Sequence, residues 1–318
     1  MGMRNSNMAI MYDFSTQVKT IRQSVTDEVL RVAGISSRGF LRKLLNPLIW
    51  PPANKFAKLI AELDRDVATI GYRKATRNLV QRFVQELQII GQENVPQKGP
   101  LLVVSNHPGT LDGFAIMSTI PRDDMKVVVE GFTFLRSMTA SSEHMIYTPQ
   151  DSSGRIGVVR SIIRHLSDGG GILVFPSGQL DPDPDVFPGA SEAFDRWSPS
   201  LEFILNKVPE TQVMISIISG LIAQSCANNP ITRFWDELWM KIRVAEFIQM
   251  LQQTFISKDF SLIPRISYGD PLTIDDLLKQ VDSSSIIEEI INRARKLLSY
   301  HIDNKTPPVN SGEIYGST

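Results

Sequence analysis

Leu101-Leu102-Val103-Val104-Ser105-Asn106-His107-Pro108-Gly109-Thr110-Leu111-Asp112-Gly113 decides how this chain is read. The apolar run Leu101 to Val104 is a strand candidate, and Pro108-Gly109 ends it in a turn. A helix then begins near Asp112. A turn after a strand lies beyond the strand's carboxyl end, where open α/β sheets bind their ligands. In a continuous helix His107 and Asp112 would stand about 140° apart, at ~100° per residue. The Pro108-Gly109 turn is therefore needed to fold the imidazole back over the carboxylate. An imidazole held by a carboxylate is the general-base half of a catalytic triad without its serine. The nucleophile would then be the substrate's own hydroxyl. The same spacing also suits a plain turn histidine followed by a helix-capping aspartate.

Downstream the grammar is strand alternating with helix. Strands are expected at 101–105, 126–130, 145–148, 171–175, 212–219 and 262–268. Helices are expected at 112–119, 155–167, 190–207, 232–253, 273–280 and 285–302, the last opened by a Ser285/Glu288 capping box. Upstream, Phe14 to Val32 and Lys55 to Ile90 carry apolar residues at helical spacing, such as Leu79, Phe83, Leu87 and Ile90. Between them lies Phe40 to Pro52, which reads as short, Pro-broken, basic and Trp-bearing. The cluster Pro96 to Pro100 marks a boundary. The expected organisation is a helical N-terminal domain over 1–98, an α/β domain over 99–303, and a polar, disordered tail over 304–318.

Composition narrows the function classes. The 318 residues are 42% hydrophobic and 21% charged, ordinary for a globular chain with a real core. One cysteine, Cys226, allows no intramolecular disulfide and no cysteine-based metal cluster, and fits a reducing, cytoplasmic location. No metal is expected. No run approaches the ~20 apolar residues of a membrane-spanning helix; Val213 to Ala223 reads as a buried strand. Charge is uneven: residues 31–82 hold eleven Lys or Arg against three acidic residues, +8 net, while the remainder carries −9. Such asymmetry points to an anionic partner. Arg38, Arg42, Lys43, Lys55 and Lys58 surround Leu44, Leu45, Leu48, Ile49 and Trp50, a mixture suited to an anionic membrane surface.

Asn106-His107-Pro108-Gly109-Thr110-Leu111-Asp112 resembles the first motif, Asn-His-x4-Asp, of the glycerolipid acyltransferase family (glycerol-3-phosphate and lysophosphatidic acid acyltransferases). Three further segments follow in the family's order. Met145-Ile146-Tyr147-Thr148 is similar to the second motif's strand, without the Asp-Arg that should follow; the nearest arginine is Arg155. Phe175-Pro176-Ser177-Gly178-Gln179-Leu180 resembles the third motif, Phe-Pro-Glu-Gly-Thr-Arg, with Ser177, Gln179 and Leu180 replacing the polar set. Val213 to Gly220 resembles the fourth, lacking its proline. The resemblance spans roughly Lys98 to Pro271.

It implies an α/β fold, a mixed β-sheet flanked by helices, behind the N-terminal helical domain. The implied activity is transfer of a fatty acyl group from acyl-CoA or acyl-acyl carrier protein to a hydroxyl of a glycerolipid-type or related lipid acceptor. His107 would be the general base and Asp112 its orienting carboxylate. Asn106, Arg155, Pro176, Ser177 and Gly178 would serve the substrate, and backbone N–H groups around Gly109 or Gly178 the oxyanion. No cofactor is needed beyond the thioester co-substrate, and no nucleic acid is expected as partner. Segment 31–82 would meet an anionic membrane surface or an acyl carrier protein, making the protein peripheral on the membrane. The alternative is a non-catalytic lipid- or acyl-carrier-binding protein that keeps the fold. Asp181-Pro182-Asp183-Pro184-Asp185 reads as a stiff solvated turn, and His144, His165 and His301 as surface or capping residues.

Overall fold

A computed structural model describes residues 14–32, 39–149, 154–279 and 285–304, apart from the side chains of Glu28, Arg31, Val32, Leu41 and Arg155. The expected disordered tail from 305 onward, and Arg38, lie outside the described residues. Three N-terminal helices, α1 (Phe14–Val32), α2 (Phe40–Ile70) and α3 (Tyr72–Val80), lead into a seven-stranded mixed sheet. Its strands are β1 (Gln88–Ile90), β2 (Leu101–Ser105), β3 (Met125–Glu130), β4 (Met145–Thr148), β5 (Gly171–Val174), β6 (Gln212–Ser219) and β7 (Arg265–Tyr268). Their order is β1-β7-β6-β2-β5-β3-β4. All pairs are parallel except β6 with β7, so β1 and β7 run against the rest. The remaining helices are α4 (Asp112–Thr119), α5 (Thr133–Arg136), α6 (Arg155–Ser167), α7 (Ser200–Lys207), α8 (Gln224–Ala227), α9 (Leu238–Phe255), α10 (Ile274–Leu278) and α11 (Ile286–Asp303).

Side chains alternate along a strand, and here the alternation divides the core in two. Leu101 and Val103 of β2, with Leu173, Met214 and Ile218, pack among Ile60, Leu63, Leu79 and Ile116 of α2, α3 and α4 and Ile120 just after α4. Leu102 and Val104, with Ile172, Val174, Ile215 and Ile217, pack among Ile162, Leu166, Leu201, Leu205, Ile290 and Leu298 of α6, α7 and α11. β2 is thus central and buried on both faces, which is why it reads as a continuous apolar run. The capping box at Ser285 and Glu288 opens α11 as expected.

Several boundaries differ from the sequence reading. The helix expected to run to Ile90 ends at Val80. Gln85 N–H instead donates to Leu262 O at 2.8 Å and Gln88 N–H to Pro264 O at 2.9 Å, and β1 joins the sheet beside β7. Leu79, Phe83 and Leu87 keep helical spacing across the break, but the chain leading into β7 offers the Gln85 and Gln88 amides better partners. β1 also lies before the domain boundary expected at residue 98. Phe40 to Pro52 is not broken by its prolines but forms the first part of α2, which runs through Pro47, Pro51 and Pro52. Arg42 pairs with Asp27 of α1 at 2.7 Å, Arg22 Nη1 donates to Asn54 Oδ1 at 3.1 Å, and Arg22 lies over the Trp50 ring at 5.0 Å. These contacts with α1 hold together a helix that lacks three backbone donors. Between 190 and 207 Pro199 divides the expected helix, leaving α7 alone as α-helix, and α9 begins at Leu238 rather than 232.

Candidate active site

β2 brings Asn106 and His107 to the carboxyl end of the central strand. Asn106 is buried, and its side chain behaves like a further backbone pair. Its Nδ2–H donates to Ile218 O at 2.8 Å, and its Oδ1 accepts from Ile218 N–H at 2.9 Å. β2 is thereby fixed to β6 immediately before the histidine. His107 Nδ1 lies 2.7 Å from Asp112 Oδ2, and the ring stacks on Phe175 with centroids 4.3 Å apart and planes 20° from parallel. Asp112, buried at the first residue of α4, also accepts from Gly109 N–H at 3.1 Å and Gly113 N–H at 2.5 Å. The turn closes around one carboxylate, which is more than a capping role. A carboxylate only accepts, so Nδ1 carries the proton and Nε2 keeps its lone pair. Burial opposes charging of this imidazole, yet the Asp112 charge and hydrogen bond, with Asp181 and Glu246, outweigh it and set its pKa above the ordinary histidine value. About a quarter of the His107 side chain, 27%, is exposed, so a substrate hydroxyl can reach it.

Pro176, Ser177 and Gly178 form the turn after β5, next to His107. Pro176 is buried and its carbonyl accepts from Ser198 N–H at 3.1 Å. Ser177 Oγ–H points to Gln179 O at 2.8 Å and Asp181 Oδ2 at 3.1 Å. Gly178 takes φ of 66°, the left-handed region that glycine enters freely. The amides of Gly109 and Gly178, expected to face an oxyanion, are already engaged: Gly109 with Asp112, and Gly178 with Phe175 O at 3.1 Å. Leu180, where an arginine was expected by resemblance, packs partly buried against Ile222, Ala223, Ile242 and Ala245. The Arg155 side chain lies outside the described residues, and Arg160 and Arg164 are exposed.

The segment 181–185 is not a solvated turn. Asp181 and Asp183 are 1% and 0% exposed. Asp181 Oδ2 accepts from His107 N–H at 3.0 Å, Asp181 N–H donates to His107 O at 2.7 Å, and Arg196 pairs with Oδ1 at 2.9 Å. Asp183 accepts from the amides of Asp185 at 3.0 Å, Gly220 at 2.9 Å, Leu221 at 2.9 Å and Ile222 at 3.3 Å. Pro182 and Pro184 have no amide to offer, so these carboxylates take donors from the histidine turn and from the end of β6. Burial pushes both carboxyls above the usual range, against those hydrogen bonds. His301 is likewise not at the surface: it is buried, with Ser219 Oγ 2.8 Å from Nε2 and Ser267 Oγ 2.7 Å from Nδ1.

Glu246 of α9 escaped the sequence reading altogether. Its Oε1 accepts from Thr110 N–H at 2.5 Å, inside the His107–Asp112 turn, across 136 residues of chain. Nothing in the local sequence around Glu246 signals that contact. Among the described residues no cluster of three or more His, Cys, Asp or Glu is arranged to hold a metal. A cavity of about 480 Å³ opens elsewhere, between the start of α3 and the start of β3, lined by Tyr72, Arg73, Lys74, Arg122 and His144. It contains none of the residues of this site.

An open α/β sheet presenting a carboxylate-held histidine beyond its central strand can take a proton from a bound hydroxyl. Residues 86–196, from just before β1 through His107 and Asp112 to Arg196, match the model of the family described as Acyltransferase. Among solved structures it is similar to the crystal structure of the 1-acyl-sn-glycerophosphate (LPA) acyltransferase PlsC from Thermotoga maritima, at 13% identity and a TM-score of 0.44, over 93% of this chain and 97% of that one. No curated protein matches.

Proposed function

We propose that this protein transfers a fatty acyl group from acyl-CoA or acyl-acyl carrier protein to the hydroxyl of a lipid acceptor. His107 Nε2 takes the hydroxyl proton as the oxygen bonds to the thioester carbonyl. The tetrahedral intermediate then collapses, the C–S bond breaks, and the imidazolium returns its proton to the leaving thiolate. Asp112 holds the tautomer and stabilises the imidazolium. Such base catalysis contributes about 10²–10⁴ in rate. The observation that carries this reading is the 2.7 Å contact between His107 and Asp112, within a stretch that matches the acyltransferase family. A non-catalytic binder would have no need of that alignment.

The acceptor follows from the third-motif turn. Leu180 sits in an apolar cluster, and Arg196, a cation near that turn, is tied to Asp181. A lipid hydroxyl held by apolar burial suits such surroundings better than glycerol 3-phosphate. α2 supports a membrane-surface location for the N-terminal helical domain: Phe40, Leu44 and Leu48, spaced four apart on one face, are 78%, 62% and 74% exposed beside the exposed Lys43. The test is an acceptor panel (glycerol 3-phosphate, monoacylglycerol 3-phosphate, monoacylglycerol and lysophosphatidylcholine) given palmitoyl-CoA, with the ester product identified by mass spectrometry. Formation of an acylated lipid supports the reading. Tight binding of palmitoyl-CoA with no ester from any acceptor would replace the enzyme by a binding protein.

A further inference from the structure

The buried face of α9 is unusual in carrying a carboxylate. Ile242, Ala245 and Gln249 are buried at helical spacing, and Glu246 falls on the same face, half-buried. The helix is tied down along its length. Gln249 accepts from Ala223 N–H at 2.6 Å and donates to Leu221 O at 2.9 Å. Gln253 donates to Phe83 O at 2.8 Å, and Lys55 of α2 donates to Thr254 O at 2.9 Å. Glu246 therefore meets the histidine turn from a fixed platform. Its two oxygens take the Thr110 N–H at 2.5 Å and the Thr110 hydroxyl at 3.4 Å. A Cβ at Gly109 would come within 2.5 Å of Glu246 Oε1, so the carboxylate rests directly on the glycine backbone.

We propose that Glu246 is a positioning residue for His107, pressing the 108–110 turn into place from α9 and lending a negative charge to the imidazolium that forms during proton transfer. This rests on the reading of His107 as the base. The charged groups acting on Glu246 are His107 and Asp112 on the turn, while Asp181, paired with Arg196, acts on His107 from the loop after β5. On its own helix Arg243 lies one turn earlier, with its guanidinium over Trp239 at 5.8 Å. Burial pushes the Glu246 carboxyl up to about 7, with Asp112 adding to the rise and His107 and Thr110 opposing it. Glu246 and His107 each act on the other's ionisation through their charges, so the titration of one depends on the state of the other.

The coupling is read directly by NMR titration of the histidine rings in the full-length protein, with His107 assigned from the spectrum of His107→Ala. In the wild type the Glu246 carboxylate is expected to help hold the His107 midpoint up. Glu246→Gln keeps an oxygen for the Thr110 amide but no charge. The midpoint should fall by roughly half a pH unit or more, the effect of losing one of several neighbouring charges. Glu246→Ala should shift it the same way and also lower kcat for transfer from palmitoyl-CoA to monoacylglycerol by about tenfold, as the turn loses its support. His144 and His165 should not move in either variant. A His107 curve in folded Glu246→Gln or Glu246→Ala that superimposes on the wild type overturns the proposal. The NMR result stands apart from the assignment of the base, because normal transfer by His107→Ala would remove the base while leaving the Glu246 coupling to be read.

Discussion

Asp181 gives the sharpest quantitative expectation: the Ser177 hydroxyl that also points to it keeps Gln179 O, so the loss falls on the His107 amide and Arg196. In Asp181→Ala the buried His107 amide loses its acceptor, which costs about 1.5–3 kcal/mol for a hydrogen bond to a charged group. Arg196, 42% exposed, loses a partner that water can largely replace, adding at most about 1 kcal/mol. The reciprocal bond from Asp181 N–H to His107 O belongs to the backbone and survives. The unfolding free energy in urea should therefore drop by about 1.5–4 kcal/mol. With one of its two tethers gone, the His107 backbone drifts, and a displacement near 1 Å lowers kcat by up to about 10²-fold with little change in KM. Asp181→Asn can keep its oxygen on the His107 amide, but then turns its NH2 toward Arg196, so its losses should fall between the two. Stability within about 0.5 kcal/mol of wild type and kcat within about twofold for Asp181→Ala would refute the role given to this carboxylate.

Asn106→Ala breaks both bonds to Ile218 and should cost about 2–3 kcal/mol in urea unfolding, since a buried donor and a buried acceptor are left bare. Because the Glu246 carboxyl is raised on folding, its stabilising contribution is full below the unfolded value and lost as pH rises through about 7. Wild-type stability should accordingly fall between pH 5 and pH 8 by more than that of Glu246→Gln, with a difference on the order of 1 kcal/mol after screening. Leu44→Ser with Leu48→Ser should leave Tm unchanged while weakening sedimentation with phosphatidylglycerol-containing vesicles by about tenfold or more, and equal binding to purely neutral vesicles would argue against the α2 face. Glycerol 3-phosphate should be at least about tenfold poorer than a monoacylated acceptor in kcat/KM, and efficient use of it would show that the argument from Leu180 is wrong.

What the sequence made legible was whatever depends on local pattern. β2 is buried on both faces and so is written as a plain apolar run, and the Pro108-Gly109 turn after it announces its own geometry. His107 and Asp112 fall together because the six residues between strand and helix leave little other choice. Long-range partners left no such trace. β1 kept the spacing of the helix before it and became a strand only because β7 offers its edge. The three prolines of α2 argued for a break, yet packing against α1 carries the helix through them. Asp181 and Asp183 looked like solvent-facing turn residues because their donors come from His107 and from Gly220 to Ile222, far away in the chain. Glu246 was invisible for the same reason: a single glutamate on an amphipathic helix reads as solvated until the fold sets it against Thr110.

The central claim is that His107 is the base for acyl transfer. It is tested most directly by the single-turnover rate at which His107→Ala moves the acyl group of palmitoyl-CoA onto the best lipid acceptor, with folding checked by circular dichroism and palmitoyl-CoA binding measured separately. The account predicts a loss of at least ~10²-fold in rate with binding and fold intact. Transfer by the folded variant at close to the wild-type rate would contradict it.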